Sequence, residues 1–184
     1  DSFQEADVTG VTIPVTKHNY LVKDERELVD TIREAFYLAR TGRPGPVLVD
    51  IPGDVARGPV PYTPRCIEGL DGFAEAPVPD SADLERAAAM INSAHRPLLY
   101  IGGGVIASGA SELLTQLSDK CSLAVVHTLM GKGGFPESRE LSMGMPGMHG
   151  MAYASLALHE CDLMIVIGAR FDDRVTGDLK RFSP

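Results

Sequence analysis

The stretch Pro97-Leu98-Leu99-Tyr100-Ile101-Gly102-Gly103-Gly104-Val105-Ile106-Ala107 decides the fold class of this chain. Its first five residues are mostly apolar and predict a buried β-strand. The pattern G-x-G-x-x-A follows at 102–107, and it is typical of a strand that turns tightly into a helix. Such a strand–turn–helix unit is the building block of a parallel α/β sheet.

Further helices and strands are expected to alternate around this unit. They are a helix from near Ser81 with Leu84, Ala88 and Ile91 on its apolar face, a helix through Leu113, Leu114 and Leu117, a strand at 123–126, a helix at about 150–160, and a strand at 162–167. This alternation predicts an α/β fold with a Rossmann-like, doubly wound parallel sheet.

The residues before this sheet are organised differently. Residues 1–18 predict a loop and a short strand with Val11, Ile13 and Val15 on one face. A helix capped by Asp24 and Glu27 is expected next, and its apolar face carries Leu28, Ile32, Phe36 and Ala39. A strand is predicted at 47–51. Several prolines then interrupt the chain, which is typical of a linker. We therefore expect three parts: residues 1–55, a linker at 56–80, and the sheet domain at 81–184.

The composition excludes several classes of protein. The formal net charge is −8 with scattered acidic residues, whereas a nucleic-acid surface needs clustered Lys and Arg. No apolar run approaches the ~18 residues that span a bilayer, so no membrane partner is expected. Cys66, Cys121 and Cys161 lie far apart without a CxxC pair, so we expect unpaired thiols in a reducing compartment and no metal site.

Two segments that follow predicted strands carry the candidate chemistry. Residues 127–150 are rich in Gly and Met, which suits a flat, partly apolar cofactor, although a mobile surface loop would have the same composition. Residues 168–177 place two arginines around two aspartates at the carboxyl edge of the sheet, where doubly wound folds bind ligands. Arginine forks suit phosphate groups, although structural ion pairing alone would give the same pattern.

The glycine pattern by itself leaves the ligand open. A tight turn without any ligand explains it equally well, and an NAD site would need an acidic residue at the end of the next strand. The sequence has His127 and Thr128 there. A nicotinamide dehydrogenase is therefore the least favoured reading.

A set of motifs in a fixed order carries more information than any one of them. The motifs are Phe3–Asp7 (FQEAD), Thr16–Tyr20 (TKHNY), Gly42–Pro52 (GRPGPVLVDIP), Tyr100–Gly104 (YIGGG), Thr128–Gly131 (TLMG), Gly147–Gly150 (GMHG) and Arg170–Gly177 (RFDDRVTG). Together they closely resemble the large, catalytic subunits of the acetolactate (acetohydroxyacid) synthase family, which are thiamine-diphosphate enzymes. The resemblance covers nearly the whole chain, and residues 53–95 are its least distinctive part.

The resemblance implies an activity, cofactors and partners. Members of this family condense two 2-oxo acids, pyruvate with pyruvate or with 2-oxobutyrate, losing carbon dioxide in the first step of branched-chain amino-acid synthesis. They use thiamine diphosphate and Mg²⁺, and they bind FAD mainly in a middle domain, where it has no net redox role. A homodimer or tetramer with a regulatory small subunit is expected, in the cytoplasm of a bacterium or in a plastid.

The resemblance also implies which residues form the sites. In the family, FAD contacts fall on the positions of Arg43, Gly102, Gly103, Gly104, Thr128, Leu129, Met130, His149, Gly150, Gly168, Arg170, Asp172, Arg174 and Val175. The substrate channel is expected near Phe3, Gln4, Met148 and Asp173, with Arg174 beside it. Residues 1–55 would then end a pyrimidine-binding domain, and 81–184 would be a truncated FAD-binding middle domain.

Two departures from the family pattern affect these expectations. The family usually has Lys after Asp50-Ile51-Pro52, at a position that borders the substrate channel, where this chain has Gly53. The activating glutamate and the metal–diphosphate motif of the family would lie before residue 1 and after residue 184. The sequence opens on a polar segment without Met and stops at Pro184, so we expect a chain cut at both ends and without catalytic residues of its own.

Two alternatives remain at the level of sequence. One is a fragment of a sister thiamine-diphosphate enzyme, such as a glyoxylate carboligase or an oxalyl-CoA decarboxylase. The Arg170–Gly177 and Gly147–Gly150 motifs favour the synthase family over these. The other is a free-standing nucleotide-binding module without catalysis, which a full-length coding sequence would distinguish at once.

Overall fold

A computed structural model describes residues 5–60, 62, 67, 69–72 and 77–183 of the chain. The chain divides into two compact units, Asp1–Val78 and Pro79–Pro184, which are called the first and second unit below.

The first unit is built around a small parallel sheet. Its elements are α1 (Val8–Thr12), a 3₁₀ turn (Ile13–Val15), β1 (His18–Leu21), α2 (Leu28–Arg40), β2 (Val47–Asp50) and a 3₁₀ turn (Val55–Arg57). Strands β1 and β2 pair in parallel, from His18 opposite Val47 to Leu21 opposite Asp50. The strand predicted at 47–51 is confirmed, and α2 ends at Arg40 with Thr41 as its C-cap.

The strand predicted for residues 11–15 is wrong, because this segment is helical. The Asp7 carboxylate accepts a hydrogen bond from the Gly10 amide at 2.8 Å and so caps the first turn of α1. Pro14 lies in the first turn of the following 3₁₀ helix, where a missing N–H costs nothing. The alternating apolar residues of the segment are mostly exposed to solvent.

The start and the buried face of α2 also differ from the prediction. The helix begins at Leu28, and Asp24 instead binds the Arg26 amide and guanidinium in the turn before it. That hydrogen-bonded guanidinium lowers the pKa of Asp24 to about 2. The buried residues are Ala35 and Leu38, whereas Phe36 is 68% exposed, because a two-stranded sheet covers only a narrow strip of the helix.

The second unit contains a four-stranded, fully parallel sheet. Its elements are α3 (Ser81–Ser93), β3 (Pro97–Ile101), α4 (Gly103–Ala107), α5 (Ser111–Cys121), β4 (Ala124–His127), a 3₁₀ turn (Leu129–Gly131), β5 (Ser142–Gly144), α6 (Ala152–Glu160), β6 (Leu163–Ile167) and α7 (Asp173–Thr176). The strand order is β5-β4-β3-β6. The α/β fold class predicted from sequence is confirmed.

The core lies on both faces of this sheet, as the period-2 alternation of β3 requires. Leu99 and Ile101 pack with Val105 and Leu114 of α4 and α5 on one face. Leu98 and Tyr100 pack with Ala154 and Leu158 of α6 on the other face. The chain moves from β3 to β4 and β5 on one side and then returns to β6 on the other side. The connections therefore diverge between β3 and β6, which is where doubly wound sheets open a crevice for ligands.

Three details of the second unit differ from the prediction. The helix after the glycines is two helices, because Gly109 turns the chain at a φ of +70°. The Gly/Met-rich stretch contains a strand, β5, of only three residues. On α3, Ile91 packs against the core but Leu84 is 58% exposed, so its predicted apolar face is only partly covered.

Two further observations concern the described residues alone. None of their helices is long and apolar enough to cross a membrane. Cys121 and Cys161 are unpaired, and Cys66 lies outside the described residues.

Candidate functional site

Four segments of the second unit follow the carboxyl ends of its strands and meet at one edge of the sheet, because all four strands run parallel. We call this the carboxyl edge and define it as residues 102–104 after β3, 128–131 after β4, 145–150 after β5 and 168–175 after β6. With the exception of Arg43 and the two residues at the start of the chain, every residue predicted from sequence to bind FAD or line the channel lies in these segments.

The glycine turn after β3 packs directly on the turn after β6. A Cβ on Gly102 would lie 2.3 Å from the Gly168 carbonyl oxygen, and one on Gly104 would lie 2.6 Å from the Gly168 Cα. Gly168 itself has a φ of +60° and abuts the Gly104 backbone. Glycine is therefore required at these three positions by contact between two turns, whether or not a ligand binds above them.

Two amides of the glycine turn are already used within the protein. The Gly102 amide donates to the Ile167 carbonyl at 3.0 Å, and the Gly104 amide donates to the Gly168 carbonyl at 2.9 Å. These two groups cannot also donate to a diphosphate. What the turn offers a ligand is a surface without side chains, beside the partly buried Gly103.

The segment after β4 lies against the glycine turn. The Thr128 amide donates to the Ile101 carbonyl at 2.9 Å, and the Thr128 hydroxyl accepts from the Gly131 amide at 3.1 Å. A Cβ on Gly131 would lie 2.8 Å from the Ile101 oxygen, so the segment approaches the end of β3 as closely as backbones allow. Leu129 and Met130 point outward and are 70% and 75% exposed.

The segments after β5 and β6 are joined by backbone contacts. The Met148 amide donates to the Arg174 carbonyl at 3.0 Å. Gly147 has a φ of +97°, and a Cβ there would lie 2.5 Å from the same carbonyl oxygen. Gly150 closes a tight turn back onto Gly147, and His149 stands exposed between them.

The charges of the segment after β6 are ordered by one carboxylate. Asp172 accepts the Arg174 amide at 3.0 Å as the N-cap of α7, and its other oxygen lies 3.5 Å from the Arg170 guanidinium. The backbone amide, then the Asp173 side chain and the nearby guanidiniums, hold the pKa of Asp172 below its usual range. Arg170, Asp173 and Arg174 are exposed, so the two guanidiniums can reach an anionic ligand.

Apolar side chains stand in solvent beside these charges. Leu129, Met130, Met148 and Phe171 are each more than half exposed. The Phe171 ring lies 5.8 Å from the buried Tyr100 ring, and the Tyr100 hydroxyl donates to the Arg170 carbonyl at 3.3 Å. Burial and the nearby Asp172 raise the pKa of Tyr100. The carboxyl edge therefore combines exposed apolar surface with two cations, which suits a ligand that has a flat ring at one end and phosphate at the other.

The remaining predicted residues lie elsewhere. Phe3 and Gln4 fall outside the described residues. Arg43 is an exposed residue of the first unit, in the turn between α2 and β2. Gly53, also in the first unit, lies beneath the Arg57 guanidinium, whose Nη1 is 3.5 Å from where a Cβ on Gly53 would be.

Sequence reasoning omitted two residues that shape the edge. Gly131 and Gly147 were recognised as parts of motifs but not as site residues, although a Cβ on Gly131 would lie 2.8 Å from the Ile101 oxygen and one on Gly147 would lie 2.5 Å from the Arg174 oxygen. A glycine that begins or ends a Gly-rich motif is a signal that would have identified both. A cavity of about 310 Å³ lies between α6 and residues 175–183, and Val175 is its only lining residue from the predicted set.

Comparison with known proteins places this fold and edge in a family. A family model described as "Thiamine pyrophosphate enzyme, central domain" matches residues 84–184. An acetolactate synthase large subunit of Corynebacterium glutamicum is 50% identical over the whole chain, one of Parasynechococcus marenigrum is 48% identical, and one of Porphyra purpurea is 47% identical. The chain spans 29% to 31% of the length of these three relatives. The chain belongs to the family of thiamine pyrophosphate enzymes and carries their central domain.

Proposed function

We propose that this chain is a segment of an acetolactate synthase large subunit. The full-length protein would condense pyruvate with a second pyruvate or with 2-oxobutyrate, losing carbon dioxide. The observation that carries the proposal is the identity of 47% to 50% across the whole chain to acetolactate synthases from several organisms. Because this identity extends over both compact units, it supports a common function with these proteins and not only a shared central-domain fold.

Within that protein, we propose that the carboxyl edge binds FAD. The exposed Leu129, Met130 and Met148 fit the flat, partly apolar isoalloxazine ring. The side-chain-free turn Gly102–Gly104 and the exposed guanidiniums of Arg170 and Arg174 fit the diphosphate. The other members of the predicted FAD set at this edge are Thr128, His149, Gly150, Gly168, Asp172 and Val175, and the same edge would face the substrate channel at Met148 and Asp173. Arg43, in the first unit, is a separate prediction.

The chemistry of the reaction would come from outside this chain. Thiamine diphosphate is the cofactor for which the matched family is named, and when bound it would supply the chemistry that joins the two 2-oxo acids. Among the residues that the structure describes, no three His, Cys, Asp or Glu side chains come together as a metal site. The relatives' name "large subunit" supports a smaller partner subunit. The bacterial and Porphyra relatives support a cytoplasmic or plastid location.

Acetolactate formation tests the proposal directly. The full-length coding sequence, expressed and supplied with thiamine diphosphate, Mg²⁺ and FAD, is expected to convert pyruvate to acetolactate, whereas the 184-residue chain alone is expected to form none. Oxalyl-CoA and glyoxylate should be tried as substrates in the same assay. Turnover of either in place of pyruvate would overturn the assignment in favour of a sister enzyme.

A further inference from the structure

His127 ends β4 with its ring enclosed by protein, and the residue is only 3% exposed. The ring Nδ1 lies 3.0 Å from the Thr128 carbonyl oxygen, and Nε2 lies 3.4 Å from Oε1 of Glu137. Among the described residues, Nε2 forms no hydrogen bond of conventional geometry, and its polar contact is the ion pair with the Glu137 carboxylate. Burying a polar ring nitrogen is costly unless such a partner is present.

The segment between these two residues is the one that approaches the glycine turn. We call residues 128–137 the β4 loop. Its first part is held by Thr128 and Gly131 against the end of β3, and Phe135, at 2% exposure, anchors its second part in the core. Glu137 then returns to His127, so the loop is closed at its base by a contact between its last residue and the strand from which it leaves.

Lys132 joins the same group from the solvent side. Its Nζ lies 3.1 Å from Oε1 and 3.3 Å from Oε2 of Glu137, and the lysine side chain is 64% exposed. The hydrogen bond from Lys132, together with the charges of Lys132 and His127, holds the pKa of Glu137 below its usual range. The carboxylate is therefore ionised at neutral pH, with a buried partner on one side and an exposed partner on the other.

We propose that His127 and Glu137 form a clamp that fixes the β4 loop, and that through it they position Thr128, Leu129 and Met130 for the cofactor. The second clause rests on the proposed FAD site, whereas the clamp itself does not. His127 and Glu137 are positioning residues in this account, because they act through the loop and not on the ligand.

The clamp is tested by hydrogen–deuterium exchange of the β4 loop in the 184-residue chain, read by mass spectrometry. Glu137→Ala is expected to speed exchange in the loop about tenfold, because a buried ring nitrogen loses its charged partner. Glu137→Gln keeps an oxygen at the same place and is expected to restore most of the protection. Lys132→Met removes only the exposed partner and is expected to leave exchange within about twofold of wild type.

A matched control lies beside the loop. Asp119 pairs with Arg139 on the surface, so Asp119→Ala also removes one carboxylate of an ion pair but does not touch His127. Wild-type exchange in Glu137→Ala, or an equal increase in Lys132→Met or Asp119→Ala, would overturn the clamp. Because the same lost contact destabilises the folded chain, a small fall in melting temperature is expected in Glu137→Ala. Faster exchange confined to the β4 loop, which keeps its Phe135 anchor, distinguishes the clamp from a general loss of stability.

Flavin titration of the same variants separates the clamp from the proposed function. Glu137→Ala is expected to weaken FAD binding about tenfold, in parallel with the faster exchange, while Asp119→Ala binds as wild type does. FAD binding that is unaffected by Glu137→Ala would contradict the positioning role even if exchange rises. A wild-type chain that binds no FAD would count against the FAD site, and the exchange data would still decide the clamp.

Discussion

Glycines at the carboxyl edge leave room for a ligand and also allow two turns to pack together, and the sequence does not separate these two roles. The pattern at 102–107 predicts a tight turn with room for a phosphate, and the turn is present. The structure adds that Gly102 and Gly104 are also required by contact with Gly168, which lies far along the chain. A contact between distant segments leaves no local signature, so the sequence could suggest a ligand but not this packing.

Replacing Gly104 tests that packing requirement. In Gly104→Ala the new Cβ would meet the Gly168 backbone at 2.6 Å, so we expect the free energy of unfolding to fall by about 3 kcal/mol. Gly133→Ala is the control, since Gly133 has a φ of +87° but open space around it, and only the strain of about 1 kcal/mol applies. Urea denaturation measures both. A Gly104→Ala loss no larger than that of Gly133→Ala would show that the two turns can separate at little cost.

At the scale of elements, long sequence patterns predicted their strands correctly and short ones did not. The apolar runs at 97–101 and 162–167 gave strands in the sheet, because five consecutive apolar residues bounded by turns have few other uses. The strand β5 was missed because three residues including a glycine carry no period. The predicted strand at 11–15 was wrong because Asp7 and Pro14 supply helix-start chemistry that outweighs the alternation.

The carboxyl end of α2 depends on one lysine from the neighbouring segment. The Lys17 Nζ donates to the Leu38 carbonyl at 2.5 Å and to the Thr41 carbonyl, two acceptors that the last turn of the helix leaves unpaired. We expect Lys17→Met to lower the free energy of unfolding by about 1–2 kcal/mol.

The control for that prediction is Lys23→Met, which replaces an exposed lysine of the same segment. It is expected to change stability by less than about 0.5 kcal/mol. Thermal or urea denaturation of both variants decides the matter, and equal stability of Lys17→Met and Lys23→Met would mean that water satisfies the helix end equally well.

The pairing of β1 with α2 carries a pH signature. The Tyr20 hydroxyl donates to Glu34 at 3.2 Å, and burial together with the charge of Glu34 raises the pKa of Tyr20 from 10.0 to about 12. Because the folded-state pKa is raised, this contribution to stability is complete below pH 10 and is lost as the pH rises toward 12.

Alkaline titration of tyrosinate absorbance measures this shift. We expect a late-ionising component that Tyr20→Phe reduces by one tyrosine, because the pKa of the buried Tyr100 is raised as well. Tyr153→Phe, which replaces a tyrosine that is 52% exposed, should leave the component in place. A titration curve that Tyr20→Phe does not change at high pH would contradict the hydrogen bond between β1 and α2.

At the scale of the whole molecule, the sequence predicted the fold class and the family, and both are confirmed. Composition and periodicity were enough for the parallel sheet, while the family depended on several motifs in order. The assignment of individual ligand contacts rests on the family resemblance together with exposure and backbone geometry at the carboxyl edge. Those contacts stay predictions, and so does the domain division at 55 and 80.

Retention of flavin by the purified 184-residue chain tests the central claim most directly. The chain is mixed with FAD, desalted and scanned for visible absorbance, beside an Arg170→Ala/Arg174→Ala variant and a Lys120→Ala/Arg139→Ala variant that removes two cations outside the carboxyl edge. We expect bound flavin in the wild type and in the control variant, and its loss in the first variant, because the two guanidiniums of the edge hold the diphosphate. A wild type without flavin, or equal retention in all three proteins, would contradict an FAD site at this edge.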